Sequence, residues 1–377
     1  GDAANPEVDV MMPDPGWLVA RKAQLRGLVI THAHEDHIGA VVDLWPRLRV
    51  PIYATKFAAS LLEVRKLTEP NAPKLPINIV APGAPFKLGA FECEFVNVAH
   101  SIPESNALAL KTPLGTVVHT GDWKIDPTPV IGRPTDEARF RALGDEGVLA
   151  LICDSTNVLR DGISPSETDV AHSLRDIIAN SKYRVAVTTF ASNVARLRAA
   201  AEAAEATGRQ VAVIGRAMDR VVEVSRELGL LDGLKPFLGV DAIQRLPRNK
   251  LVVLLTGSQG EQRAAMARVA LGDHPDLQLA AGDRVIFSSR AIPGNEKAVN
   301  RIINELAKSD IEIITDRTHL VHVSGHPRRD ELKRMYEWLR PTIAIPAHGE
   351  ALHLTEHAAF AKAQGVPQVL RAFNGTM

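Results

Sequence analysis

The stretch 31-THAHEDHIGA-40 sets three histidines and two carboxylates within six residues, directly behind the apolar run 27-GLVI-30. A buried strand that runs into such a loop delivers ligand-type side chains at a sheet edge. His32 and His34 lie two residues apart, so in extended chain they point the same way. Asp36 and His37 follow a bend and offer ligand atoms to a second position. Imidazoles with a few carboxylates suit zinc, with manganese as the alternative. One cluster cannot complete two metal shells, so the reading requires distant partners. Three are present: His100 in 98-VAHSIPES-105, Asp122 in 119-HTGDWK-124 and His348 in 345-IPAHGE-350. Each ends an apolar, strand-like run. Singly, each is an ordinary polar residue at a strand end. Together and in this order, they point to a metal centre.

The bulk properties leave room for that reading. A chain of 377 residues, 45% of them hydrophobic, can form two domains with separate cores. Lys+Arg and Asp+Glu are equal at 44 each, so a polyanion would have to be gripped by a local patch. No apolar run reaches the roughly 18 residues of a membrane span, and no signal peptide is visible. Cys93 and Cys153 sit inside apolar runs and read as buried free thiols in a reducing compartment, not as a disulfide. The chain starts at Gly1 without Met and ends in 372-AFNGTM-377, which reads as a fragment of something longer.

Two textures alternate along the chain. Residues 1–165 mix short strands with His- and Pro-bearing loops: 27-GLVI-30, 91-FECEFVNVA-99, 116-TVVHTGD-122 and 148-VLALICDST-156. Residues 166–318 repeat strand and helix. Strands are expected at 184–190, 210–215, 251–257, 284–289 and 311–315, with helices at 192–208, 217–229, 261–270 and 295–309. That alternation implies βαβ units and a parallel sheet. Residues 319–377 return to the first texture with 319-HLVHVSGHPRRDEL-332 and 341-PTIAIPAHGE-350. The middle block therefore reads as an insertion into a domain built from both ends, with the active site in the cleft between the two domains.

These motifs resemble the metallo-β-lactamase superfamily. Its H-x-H-x-D-H loop, third His, Asp and final His hold two zinc ions in an αββα sandwich. The inserted α/β block, with 152-ICDST-156, 322-HVSGH-326 and 345-IPAHGE-350, resembles the β-CASP branch. Within that branch 154-DSTN-157, 256-TGSQGE-261, 288-SSRAIPGNE-296 and 322-HVSGHPRRDEL-332 are similar to bacterial ribonuclease J. The resemblance implies an α/β chain: a metallo-β-lactamase αββα sandwich formed by residues 1–165 and 319–377, with an inserted parallel-sheet β-CASP domain at 166–318. It also implies N-terminal strands and a C-terminal domain that are absent from this chain. The family has an early Asp behind a strand, and neither Asp2 nor Asp9 follows an apolar strand here.

Carried over residue by residue, the resemblance assigns His32, His34 and His100 to one zinc and Asp36, His37 and His348 to the other, with Asp122 bridging. Two such ions activate water for in-line attack on phosphorus. Asp36 would also orient the nucleophile. His326 would serve the leaving oxygen as proton donor or phosphate ligand, its ring fixed by Asp154. His322, Ser324 and the Gly325 amide would grip RNA phosphate. Ser258, Gln259, Ser288, Ser289 and Arg290, at strand ends of the inserted block, are further phosphate candidates. Arg328, Arg329 and Lys124 could add backbone contacts.

The implied activity is hydrolysis of RNA phosphodiesters, 5′-to-3′ from an end and also internally, in RNA decay and maturation in the cytoplasm. The implied partners are single-stranded RNA, a second or further copies in a homodimer or homotetramer, and an RNA-degradation complex, with no membrane. Three rivals share parts of the pattern. A glyoxalase II or lactonase-like hydrolase would not need the insertion or 322-HVSGH-326. A tRNA 3′-processing enzyme lacks the insertion. A non-catalytic relative would have lost ligands, and all seven are present.

Overall fold

The computed structural model describes residues 12, 14–68, 72–373 and 376; Asp2 and Asp9 lie outside the described residues. The chain forms two compact units. One comprises residues 1–127, 132–164 and 324–377, the other residues 128–131 and 165–323.

The first unit opens with β1 (Leu28–Val29), β2 (Ile52–Ala54) and β3 (Ile77–Ile79), which form a parallel three-stranded sheet. Then β4 (Pro85–Leu88), β5 (Phe91–Asn97), β6 (Asn106–Thr112), β7 (Gly115–His119) and β8 (Val148–Asp154) follow in space as in sequence. In the second unit the strands are β9 (Val185–Thr188), β10 (Gln210–Ile214), β11 (Leu251–Leu255), β12 (Arg284–Phe287) and β13 (Glu312–Ile314). The chain then returns to the first unit with β14 (Ile343–Ala347) and β15 (Gln368–Val369), which complete a seven-stranded sheet in the order β15-β14-β8-β7-β6-β5-β4.

The two sheets of the first unit pack face to face. Phe95, Cys93, Leu88, Leu108 and Val80 are buried there, with Val29, Tyr53 and Phe86 packed against them. The other face of the seven-stranded sheet carries a second core. Val118, Leu151 and Ala344 from the strands meet Phe140, Leu143, Leu332, Met335 and Trp338 from the helices Glu137–Glu146 and Arg329–Leu339. β5 and β6 have one face toward each core: Cys93, Phe95 and Leu108 on one side, Val96, Ala107 and Ala109 on the other.

The second unit is an all-parallel sheet in the order β10-β11-β9-β12-β13. Every residue of β9 and β11 is buried, as expected for strands covered by helices on both faces. The helix Glu167–Ala179 starts in a capping box: the Ser166 side chain takes the Thr168 N–H, and Asp169 takes the Ser166 N–H. One expected helix is shorter than its sequence pattern. Residues 261–270 are helical only over Ala265–Ala270. The Met266 N–H is bound to the Thr256 carbonyl. Gly257, at φ 109°, lies close under Met266 and Ala264. That pin to the end of β11 forces 261–264 into a turn.

The helices Glu137–Glu146 and Arg329–Leu339 approach so closely that a Cβ on Gly144 would sit 1.9 Å from the Trp338 carbonyl oxygen. Helix propensity alone would make Gly144→Ala stabilising by up to about 1 kcal/mol. The contact predicts the opposite, a loss of about 1–3 kcal/mol. Thermal unfolding of the variant decides between the two; a Tm at or above that of the parent would show that the contact is looser than described.

Candidate metal centre

The loop behind β1 does what its spacing implies. His34 caps the one-turn helix Glu35–Ile38 in an extended conformation, and the turn brings the His37 ring back to 4.0 Å from the His32 ring, centroid to centroid. Across the seven-stranded sheet, β5 leads into His100, β7 into Asp122 and β14 into His348. His348 has φ 52°, a left-handed conformation costly for a residue with a Cβ. Gly121, at φ 58°, makes the tight turn that presents Asp122.

All seven expected ligands meet. One group of potential metal ligands is His32, His34, His100 and Asp122; a second is Asp36, His37, Asp122 and His348. Asp122 belongs to both. Its Oδ2 lies 3.0 Å from His348 Nε2, 3.3 Å from His37 Nε2, 3.5 Å from His32 Nε2 and 3.8 Å from His100 Nε2. The carboxylate is only 3% exposed. Burial alone would favour its neutral form, but the facing imidazoles of His32, His348 and His37 hold it far below the usual carboxylate range.

The imidazoles are prepared as lone-pair donors. Burial pushes the pKa of His32 down, and those of His34 and His100 well below the ordinary value. His100 Nδ1 lies 2.6 Å from the Gly325 carbonyl, which can only accept, so the ring's proton sits there and Nε2 carries the lone pair. That Nε2 faces His34 Nδ1 at 3.0 Å. His32 Nε2 and His37 Nε2 are buried without a hydrogen-bond partner. Two neutral rings turned toward one another and two orphaned nitrogens beside a buried carboxylate are costly in a protein alone. A cation resolves all of these, so the residues fit the metal that the sequence implies.

His326 stands beside this cluster. Its ring centroid is 5.1 Å from that of His100 and 5.5 Å from that of His348. Its Nδ1 donates to Asp154 Oδ2 at 2.7 Å. Burial opposes charge on the ring, but the Asp154 carboxylate outweighs it and raises the pKa above the ordinary histidine value. Gly325 is required here: a Cβ would lie 2.5 Å from His100 Nδ1. Ser324 and His326 are half-buried in the same segment.

The other expected contacts divide. His322 is half-buried at the end of the second unit. Ser258, Ser289 and Arg290 line a cavity of about 410 Å³ in that unit with Thr315, Asp316 and Arg317. Arg290 is paired with Asp316 at 2.9 Å, so its charge is partly offset. Gln259 and Ser288 are occupied by the fold. Gln259 holds the Arg290 carbonyl and the Ile292 N–H. Ser288 takes a hydrogen bond from Arg196 and donates to the Val321 carbonyl. Lys124 does not reach a phosphate: it is fully buried and paired with Asp126 at 3.0 Å. Arg329 donates to the Val158 carbonyl, with Glu356 at 3.6 Å.

Several supporting residues escape sequence reasoning. The His119 ring accepts the Gly121 N–H and braces the Asp122 turn. Glu331, fully buried, accepts the backbone N–H groups of Ile125, Ser164 and Arg328, which ties three segments of the first unit together. Behind Asp154, His357 lies between Ser155 Oγ at 2.8 Å and the Tyr336 hydroxyl at 2.9 Å, and burial pushes its pKa down to about 4.

With this geometry in hand, the chain's likeness to known proteins is informative. Three family models match it: "Beta-lactamase superfamily domain" over residues 4–213, "Ribonuclease J, beta-CASP domain" over 182–306 and "Zn-dependent metallo-hydrolase RNA specificity domain" over 310–369. The chain is 54% identical to a ribonuclease J of Sinorhizobium meliloti, over 99% of this chain and 66% of that protein. It is 41% identical to one of Mycolicibacterium smegmatis (98% and 67%) and 37% identical to one of Helicobacter pylori (96% and 52%). The chain thus spans between about half and two thirds of these relatives. A solved structure of a protein of unknown function from Enterococcus faecalis matches with TM-score 0.66 at 16% identity, over 94% of this chain and 80% of that one; this bears on the fold alone. The fold is a metallo-β-lactamase domain with a β-CASP insert, and it carries a His/Asp metal-binding cluster.

The cluster makes metal binding pH-dependent. Burial opposes charge on His348, but Asp122 raises its pKa to about 9 in the metal-free protein. Below pH 9 a proton therefore occupies His348 and must leave when metal enters, whereas the depressed His32, His34 and His100 are already neutral. Affinity for zinc should rise by about one log unit per pH unit between pH 7 and 9, with about one proton released. Titration calorimetry in buffers of different ionisation enthalpy reads this. Affinity flat across that range would contradict it.

Proposed function

The chain belongs to the ribonuclease J family, and from that premise we propose that it is the catalytic portion of a metal-dependent ribonuclease acting on single-stranded RNA. The observation that carries the reading is the convergence of two His/Asp groups on the buried Asp122, with His326 locked on Asp154 beside them. His32, His34 and His100 would hold one zinc ion, Asp36, His37 and His348 the other, and Asp122 both; manganese is the alternative. Such ions supply a water acidified toward neutral pH and positive charge opposite the phosphoryl oxygens.

The chain's own residues do the rest. Asp36 is 61% exposed at its side chain, open to orient an incoming water. Asp154 favours the charged form of His326 and holds its Nδ1, which leaves Nε2 to serve the leaving 3′ oxygen as proton donor. Ser324 and the Gly325 amide, in the same segment as His326, would bind an RNA phosphate, with His322 preceding them. Ser258, Ser289 and Arg290 would bind another at the strand ends of the parallel sheet. The net charge of zero fits a grip of local contacts instead of a broad basic surface.

On this reading residues 1–165 and 319–377 form the metal-binding domain and 166–318 the inserted one. Removal of nucleotides proceeds 5′ to 3′ from a monophosphorylated end, with internal cleavage as a second mode. The longer protein works in the cytoplasm as a homodimer or homotetramer, and joins an RNA-degradation complex. No helix among the described residues is long and apolar enough to cross a membrane.

A comparison of RNAs with 5′ monophosphate, triphosphate and hydroxyl ends tests the reading. The monophosphorylated RNA should be shortened fastest, in single-nucleotide steps, and chelator should abolish the reaction. Ser324→Ala should slow RNA turnover about tenfold or more with metal content unchanged. Equal rates on all three ends with scattered internal products would remove the end-sensing part. Hydrolysis of a lactone or thioester but not RNA would overturn the reading.

A further inference from the structure

Asn157 makes two hydrogen bonds from one atom. Its Nδ2 lies 2.8 Å from Ser324 Oγ and 3.0 Å from the His326 carbonyl oxygen. A carbonyl only accepts, so the amide atom at this position must be the nitrogen, and its two hydrogens go one to each partner. Ser324 Oγ therefore accepts from Asn157. It also accepts from the His326 backbone N–H at 3.3 Å. A hydroxyl has two acceptor lone pairs and one hydrogen. With both acceptor positions filled, the Ser324 O–H can only donate, and among the described residues no protein acceptor takes it. Ser324 is half-buried, not sealed in the core.

Asn157 acts on His326 as well. The His326 carbonyl receives Asn157 Nδ2 and, at 3.2 Å, Ser164 Oγ, while the His326 ring is held by Asp154. One amide thus joins the residue next to the metal cluster to the hydroxyl two positions before it.

We infer that Asn157 is a positioning residue that sets the polarity of Ser324, fixing its hydroxyl as an obligate donor to an acceptor-only ligand group, the phosphodiester oxygen of the substrate. The phosphate as ligand rests on the ribonuclease reading above; the polarity of the hydroxyl does not. A phosphodiester oxygen has no hydrogen to give, so a serine free to rotate would spend part of its time offering lone pairs to it. Filling those lone pairs from behind removes the unproductive orientation before the ligand arrives.

Two measurements test this. Neutron diffraction of the deuterated chain locates the Ser324 hydroxyl deuterium; it should point away from both Asn157 and His326. A deuterium directed at Asn157, with the amide oxygen turned toward Ser324, overturns the inference whatever the substrate is. The second is a double-mutant cycle on turnover of 5′-monophosphorylated single-stranded RNA. Asn157→Asp, which can accept but not donate here, should raise KM about tenfold with metal content unchanged, and Asn157→Ala should raise it less. In a Ser324→Ala background either change should alter KM less than about twofold. Full additivity would overturn the inference and leave Asn157 a general support of the loop. If the deuterium is placed as expected and the parent chain leaves RNA intact, the ribonuclease reading fails and the hydroxyl polarity stands.

Discussion

A single buried carboxylate organises the first unit. Asp122 Oδ2 lies within 4 Å of His32, His37, His100 and His348, which come from three separate segments of chain besides its own. A charge removed from water in this way is strongly unfavourable unless other groups compensate it. Here the facing imidazoles compensate it only in part: burial disfavours charge on His32 and His100, while His348, with its pKa raised to about 9, carries a proton toward it. The arrangement is complete only with cations present, which ties the metal chemistry to the fold that gathers the ligands.

Around that charge the backbone supplies the orientation. The Gly325 carbonyl fixes the tautomer of His100, and the absence of a side chain on Gly325 lets the ring approach. Asp154 sets His326, and behind it Ser155, His357 and Tyr336 form a buried polar chain. Glu331 fastens the start of the helix Arg329–Leu339 to the segments at Ile125 and Ser164. Each of these contacts joins residues that are far apart in sequence.

The separations explain what was legible beforehand. The metal ligands announce themselves because H-x-H-x-D-H is a local pattern, and His100, Asp122 and His348 each end a run of apolar residues. The parallel sheet of the second unit is legible because β9 and β11 are continuously apolar and alternate with helices. The roles of Lys124, Ser288 and Gln259 are not. Their types suit phosphate, but Asp126, Arg196 with Val321, and the 290–292 loop engage them in the fold. Asn157 is invisible for the same reason: its amide acquires meaning only from a serine 167 positions away. The short helix Ala265–Ala270 is set by the close approach at Gly257, which periodicity does not record.

The central claim is that Asp122 is shared by two cation positions. Anomalous diffraction at the zinc absorption edge, on crystals of the chain grown with zinc, tests it most directly. The account predicts two peaks, one among His32, His34 and His100 and one among Asp36, His37 and His348, both in contact with Asp122. A single peak, or two peaks of which one lies away from Asp122, would contradict it.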